Sequence, residues 1–224
     1  MGQGISEVLP FAIGIAISPV PIIAVILILF SARARVNGPV FLLGWVVGLS
    51  VVSAVVYLLS DAANASTDTT SSDTISWGKI ALGVLLLGLA RRNWAQRPKA
   101  GEASALPKWM ATVESITPLR AFALAVILSV VNPKNLVLAV GAAAGLGQLA
   151  LDTGDAVVAL VVFVVVASLS IAFAVVYQFA GGERARASLD EMKSWMTEHN
   201  SAVMAVLFLV FGVVLISKGI GLLS

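Results

Sequence analysis

Ser129-Val130-Val131-Asn132-Pro133-Lys134-Asn135-Leu136 lies at the centre of an apolar stretch, Ala121–Leu146, otherwise built to cross a membrane. A proline there removes one amide hydrogen bond, and its ring collides with the carbonyl four residues earlier. At membrane depth the freed backbone groups cannot turn to lipid, so they must face protein or a polar cavity. Lys134 follows Arg120 by a run that measures roughly 21 Å along a helix, which puts it near the bilayer centre. A charge at that depth is costly and marks a pathway or a ligand site.

The rest of the chain has the composition that such a stretch requires. Of 224 residues, 59% are apolar and 12% charged, and the mean hydropathy is +1.00. Soluble domains carry about 25% charged residues to keep a wetted surface. Six apolar stretches stand out: Val8–Phe30, Val40–Leu59, Ser76–Ala90, Ala121–Leu146, Ala156–Phe179 and Ser201–Leu222. At about 20 residues per span, they leave no room for a large extramembrane catalytic domain. The first stretch is read as a retained span, because Met1–Glu7 has no basic residue and prolines interrupt the apolar run. The net charge of +2, without a run of like charges, excludes nucleic acid as a partner. No cysteine and a single histidine, His199, leave neither thiolate chemistry nor a transition-metal site, and no cofactor is expected.

Orientation follows from the basic residues. Arg33 and Arg35 follow the first stretch; Arg91, Arg92, Arg97, Lys99, Lys108 and Arg120 follow the third; Arg184, Arg186 and Lys193 follow the fifth. The alternating loops, Ser60–Ile75 and Gln148–Asp155, hold none, and carry Asp61, Asp68, Asp73, Asp152 and Asp155 instead. Basic loops mark the cytoplasmic side, so a multi-pass plasma-membrane protein with both termini outside is expected. Asp61–Asp73 reads as a flexible, low-complexity connector. Leu106, Trp109, Met110 and Val113, and likewise Leu189, Met192, Trp195 and Met196, recur at helical spacing and read as short headgroup-level helices. His199 reads as a solvated loop residue.

Three stretches followed by three invite a search for symmetry. Ser18-Pro19-Val20-Pro21 interrupts the first stretch as Asn132-Pro133-Lys134-Asn135 interrupts the fourth. The next helices open near Gly38 or Gly154 and end near Tyr57 or Tyr177; the third and sixth share Leu82-Gly83-Val84-Leu85-Leu86 and Phe211-Gly212-Val213-Val214-Leu215. An odd number of spans per half makes the halves antiparallel, which is the inverted repeat of many secondary transporters. The expected fold is therefore an all-α integral membrane protein. Its six transmembrane helices form two inverted three-helix repeats, residues 1–92 and 117–224, joined by a cytoplasmic linker over 93–116. Pro19, Pro21 and Pro133 mark the broken helices 1 and 4.

The candidate site is Lys134 with Asn132, Asn135, Ser18 and Ser129. All 12 acidic residues lie in loops or at span ends, so Lys134 has no obvious carboxylate partner. Three arrangements answer this: a lysine kept neutral by desolvation, one held by backbone carbonyls and the polar side chains at the breaks, or one that receives an anionic ligand. No buried Asp, Glu or His chain is present to carry a proton. Gly44-x-x-x-Gly48 and Gly141-x-x-x-Gly145 allow close helix approach within the chain or between copies, so a homo-oligomer is one expectation.

The two break motifs resemble the Pro-Gly-Pro and Asn-Pro-Lys signatures of the lysine-exporter superfamily. Pro107-Lys108-Trp109-Met110, Thr117-Pro118-Leu119-Arg120-Ala121-Phe122 and Val131-Asn132-Pro133-Lys134-Asn135-Leu136 are similar to the actinobacterial GAP or Sap family, the glycopeptidolipid- and sulfolipid-addressing proteins. Val20 stands where the wider superfamily usually has glycine. The resemblance implies assistance in moving cell-envelope glycolipids across the plasma membrane, often beside a larger lipid exporter. Lipid export with a headgroup at Lys134 is the leading expectation. A small-solute exporter of amino acids or cations and a non-transporting accessory subunit are the alternatives. An enzyme is not expected, although a Ser–Lys pair of Ser129 or Ser18 with Lys134 is the one catalytic arrangement open to the spans.

Overall fold

The computed structural model describes residues 1–65, 70–97, 113, 116–149 and 151–221. Among these it is all-helical, with seven helices and no strand: α1 (Gly2–Ala16), α2 (Pro19–Leu29), α3 (Ala34–Ala65), α4 (Thr70–Ala95), α5 (Pro118–Val130), α6 (Pro133–Gly147) and α7 (Thr153–Ile220). α1 and α2 bend by 52° about Ser18, and α5 and α6 bend by 62° about Asn132, so both proline motifs break a helix where the sequence places them. By length and composition α3 and α7 are able to cross a membrane, and the count reaches four if each bent pair is one span. Among the described residues α4 is not one of them; Lys79 lies within its apolar stretch, and Arg91 and Arg92 end it.

α7 is too long to be one straight rod. Its 68 residues would extend roughly 100 Å, yet its two arms meet α1 within a few residues. A Cβ on Gly4 would touch Ala159, while Glu7 pairs with Lys218. The turn is Gly182, at φ 55° and ψ −135°, a backbone conformation that side chains disfavour and glycine adopts freely. The first arm lies along α1 and α2, with Val175 and Phe179 beside Gly38 of α3. The second arm runs back from Phe30 to Glu7.

Packing crosses the two halves of the chain. α3 packs on α5 and α6, while α7 packs on α1 and α2. Gly48 of α3 permits the first contact, because a Cβ there would fall 2.0 Å from the Ser129 hydroxyl on α5. α4 meets the second arm of α7 at Gly83 and Gly212. A Cβ on Gly83 would lie 2.7 Å from Gly212 O, and one on Gly212 3.0 Å from Gly83 O. These are the two glycines that the sequence pattern pairs. Both GxxxG motifs are thus used inside the chain: Gly44 and Gly48 against α5, Gly141 and Gly145 against α1.

The bundle has two chemically different ends. At one, Asn37 Nδ2 donates to Ile116 O at 2.8 Å, and Arg186 and Lys193 lie 4.8 and 5.4 Å from the Phe30 ring. Described residues that border all three basic loops therefore meet there. At the other end the Met1 ammonium pairs with Asp155, and Gly147 packs on Ser60. Residues 1 and 218 share that second end.

Several sequence expectations need correction. The Asp61–Asp73 connector is helical through Ala65 and again from Thr70, because α3 and α4 run past their apolar stretches. α3 opens at Ala34 and not at Gly38, since Asn37 N already bonds Arg33 O at 2.9 Å. Leu189 to Met196 is not a separate helix but the start of the second arm of α7, with Leu189 buried. His199 is on that helix, stacked on Trp195 at 4.8 Å, and not in a loop. Of the other loop-helix expectation, Leu106, Trp109 and Met110 lie outside the described residues, as does Pro107.

Candidate functional site

The break at Pro19 starts as hydrogen-bond accounting. In an unbroken helix the amide of residue 18 would serve Gly14 O, and that of residue 19 would serve Ile15 O. Pro19 has no N–H, so Ser18 N turns to Ile15 O at 3.0 Å, while Ile17 N keeps Ile13 O at 3.1 Å. Gly14 O is left over at the C-terminal, partly negative end of α1. Lys134 Nζ donates to it at 2.6 Å. This is the backbone-carbonyl part of the second arrangement, with the carbonyl from the other half of the chain; Ser18 Oγ and Asn135 Oδ1 make no bond to Nζ. Pro19 and Pro21 cost α2 little, because first-turn N–H groups have no helical acceptor in any case.

The break at Pro133 is closed by its own side chains. Asn132 caps α6, its Oδ1 accepting from Lys134 N at 3.2 Å. Asn135 Nδ2 donates to Leu128 O at 3.1 Å, replacing the amide of residue 132. Ser129 Oγ donates to Val126 O at 2.9 Å and faces Gly48. Ser129 is thus a brace between α5 and α3, engaged with its own helix.

Four of the expected residues are shut away: Lys134 and Ser18 are 1% exposed, and Asn135 and Ser129 are 0%. Two of them have unspent capacity. Ser18 Oγ and Asn135 Oδ1 are buried without a hydrogen-bond partner. Asn132 is half-buried and spends its oxygen on the cap. The breaks therefore offer the Lys134 Nζ donor, a free hydroxyl and a free carbonyl oxygen. This set suits an anionic group carrying hydroxyls.

A second polar cluster escaped the sequence reading. Glu7 pairs with Lys218 at 2.5 Å, and Lys79 Nζ donates to Gln148 Oε1 at 2.8 Å. It joins α1, α4, the end of α6 and the end of α7. The signal was Lys79 itself, a basic residue inside an apolar stretch, and Glu7, which is in the interior of α1. Between this cluster and Lys134 lies an apolar plug. Phe11 stacks on Phe211 at 6.0 Å, Lys218 Nζ lies 5.2 Å from the Phe11 ring, and Leu138 and Leu215 are buried beside them. Along α1, Glu7 stands roughly 10 Å from Gly14.

Comparison with known proteins gives one family. The model of Sap, the sulfolipid-1-addressing protein, matches residues 8–221. No curated protein and no solved structure matches the chain.

Proposed function

Since the chain belongs to the sulfolipid-1-addressing protein family, a family of membrane-associated lipid-addressing proteins, we propose that it exports cell-envelope lipids and handles the headgroup at Lys134. The observation that carries this reading is Lys134 itself. Its ammonium is buried on a carbonyl that a proline break in the opposite half has released. An anionic headgroup that displaces Gly14 O gains a charge-assisted bond, and headgroup hydroxyls find Ser18 Oγ and Asn135 Oδ1. Because these residues are closed off, binding requires the halves to part, with acyl chains left in the bilayer.

The architecture that goes with this reading is six crossings in two inverted repeats, 1–92 and 117–224, in the plasma membrane with both termini outside. The two bent pairs, the fold-back at Gly182 and the reciprocal Gly83–Gly212 contact all support it. So does the meeting, at one end, of described residues that border the basic loops. The likeness to the lysine exporters belongs to the same proposal, on the strength of the matched breaks.

The test is transfer of a sulfated glycolipid across proteoliposomes. Wild type is expected to move it, and Lys134→Met at equal folded amount to fail. Equal transfer by both would overturn the site. An accessory role beside a larger exporter is the second reading, favoured by Trp195, 53% exposed on the second arm of α7. It predicts no transfer by the isolated wild type and co-purification of an exporter that is lost on Trp195→Ala. Counterflow of amino acids or cations without lipid transfer would point to a small-solute exporter.

A further inference from the structure

α4 and the second arm of α7 are in close contact at Gly83–Gly212, and towards the chain termini they stay close, with Gly219 against Ser76 O and Ile80. Towards the basic end they part. The gap is a groove of about 550 Å³ with Ala90 and Ala205 among its lining, Leu87 and Leu209 beside them, and Arg91 and Trp94 at its polar end. Alanines line the crossing there, and their short side chains leave the volume open. Leu209 and Trp94 are 52% and 51% exposed, so the groove faces outward from the bundle. The Arg97 guanidinium lies 4.2 Å from the Trp94 ring and donates to Trp94 O, so it is engaged there and does not line the groove.

This gradient suits one kind of occupant. Hydrocarbon fits the apolar walls, and tryptophan is at home at the headgroup level. A guanidinium there binds phosphate or sulfate oxygens with a planar pair of donors. A neutral lipid would leave Arg91 unused, and a peptide would need backbone partners in place of apolar walls. We propose that this groove is a binding site for an anionic membrane lipid, one acyl chain along Ala90 and Ala205 and the headgroup on Arg91. The site is separate from Lys134 and does not depend on it for its chemistry. It takes lipid from the leaflet at the basic end of the bundle.

Native mass spectrometry of the purified protein tests this, with phosphatidylglycerol and phosphatidylcholine of matched chains as probes. Wild type is expected to retain phosphatidylglycerol about fivefold better, the factor one arginine supplies near a membrane surface. Arg91→Gln brings the two lipids to parity, while Arg92→Gln, a neighbour that does not line the groove, keeps the preference. Leu209→Trp fills the groove from its exposed side and lowers retention of both lipids. Parity in wild type overturns the proposal, as does an Arg92→Gln loss equal to that of Arg91→Gln, or full retention in Leu209→Trp. The Arg91→Gln loss is expected to recur in a Lys134→Met background, where the central site contributes nothing, so failure of the groove and failure of the Lys134 site are separate results.

Discussion

At Pro19 the carbonyl released by the break, Gly14 O, is taken by a lysine from the other half of the chain; at Pro133 the released Leu128 O is taken by Asn135, seven residues on. Both breaks occupy matched places in the sequence and bend the helix by similar angles. Their chemistry differs because the residues flanking each proline differ. After Pro19 come Val20 and Pro21, which offer nothing polar, and Ser18 makes no cap bond. After Pro133 come Lys134 and Asn135, and Asn132 precedes it. The second break is self-sufficient and lends its lysine; the first depends on the loan. The two halves of the chain are thus joined at their centre by the bond from Lys134 Nζ to Gly14 O, the bond that a headgroup replaces in the proposed function.

The largest effect is expected from removing the loan. Lys134→Met should lower lipid transfer by roughly 10- to 100-fold, the scale of a lost charge-assisted hydrogen bond. Its melting temperature should move little, because loss of the Gly14 O partner is offset by removal of a buried charge. A large drop in melting with unaltered transfer would make the lysine structural only.

Bracing of the second break comes next. Gly48→Ala puts a methyl onto the Ser129 hydroxyl and should cost about 1–3 kcal/mol by thermal unfolding. Adding Ser129→Ala removes the hydroxyl and should recover most of that loss. If the double variant melts no higher than Gly48→Ala, the contact is not what holds α3 on α5.

Self-sufficiency of the second break is tested by Asn135→Ala, which leaves Leu128 O buried without its donor. The expected loss is about 1–2 kcal/mol of stability. Asn132→Ala should cost about 1 kcal/mol through the cap. Ser18→Ala should fall within about 0.5 kcal/mol of wild type, since its hydroxyl has no partner to lose. Equal losses at Ser18 and Asn135, read by the same melts, would erase the difference between the breaks.

The breaks were legible in the sequence because proline acts through covalent geometry, whatever surrounds it. Lys134 was legible because a charge deep in an apolar stretch is rare for a physical reason. Its partner was legible only as a class, a backbone carbonyl at one of the breaks, and not as Gly14 O. Gly14 carries no side chain, and its carbonyl becomes available only through the hydrogen bonds that Pro19 redirects. Nor was the Glu7–Lys218 and Lys79–Gln148 cluster legible; its members lie far apart in the chain and meet only when α7 folds back at Gly182. The roles of Asn135 and Ser129 as a suture and a brace likewise depend on neighbours that only packing supplies. Helix ends were misplaced at Asp61–Asp73 and around His199, where polar residues continue helices that apolarity alone would stop.

The most direct measurement uses the absence of cysteine from the chain. A single Ser18→Cys places a unique thiol at the first break, and Ala167→Cys places one at a fully buried position away from either break. If the halves part at Lys134 to admit a headgroup, the thiol at 18 reacts with a water-soluble methanethiosulfonate in membranes faster than the one at 167. Sulfated glycolipid then slows the reaction at 18 alone. Equal, slow labelling at both positions, unchanged by lipid, would contradict a headgroup site at the break.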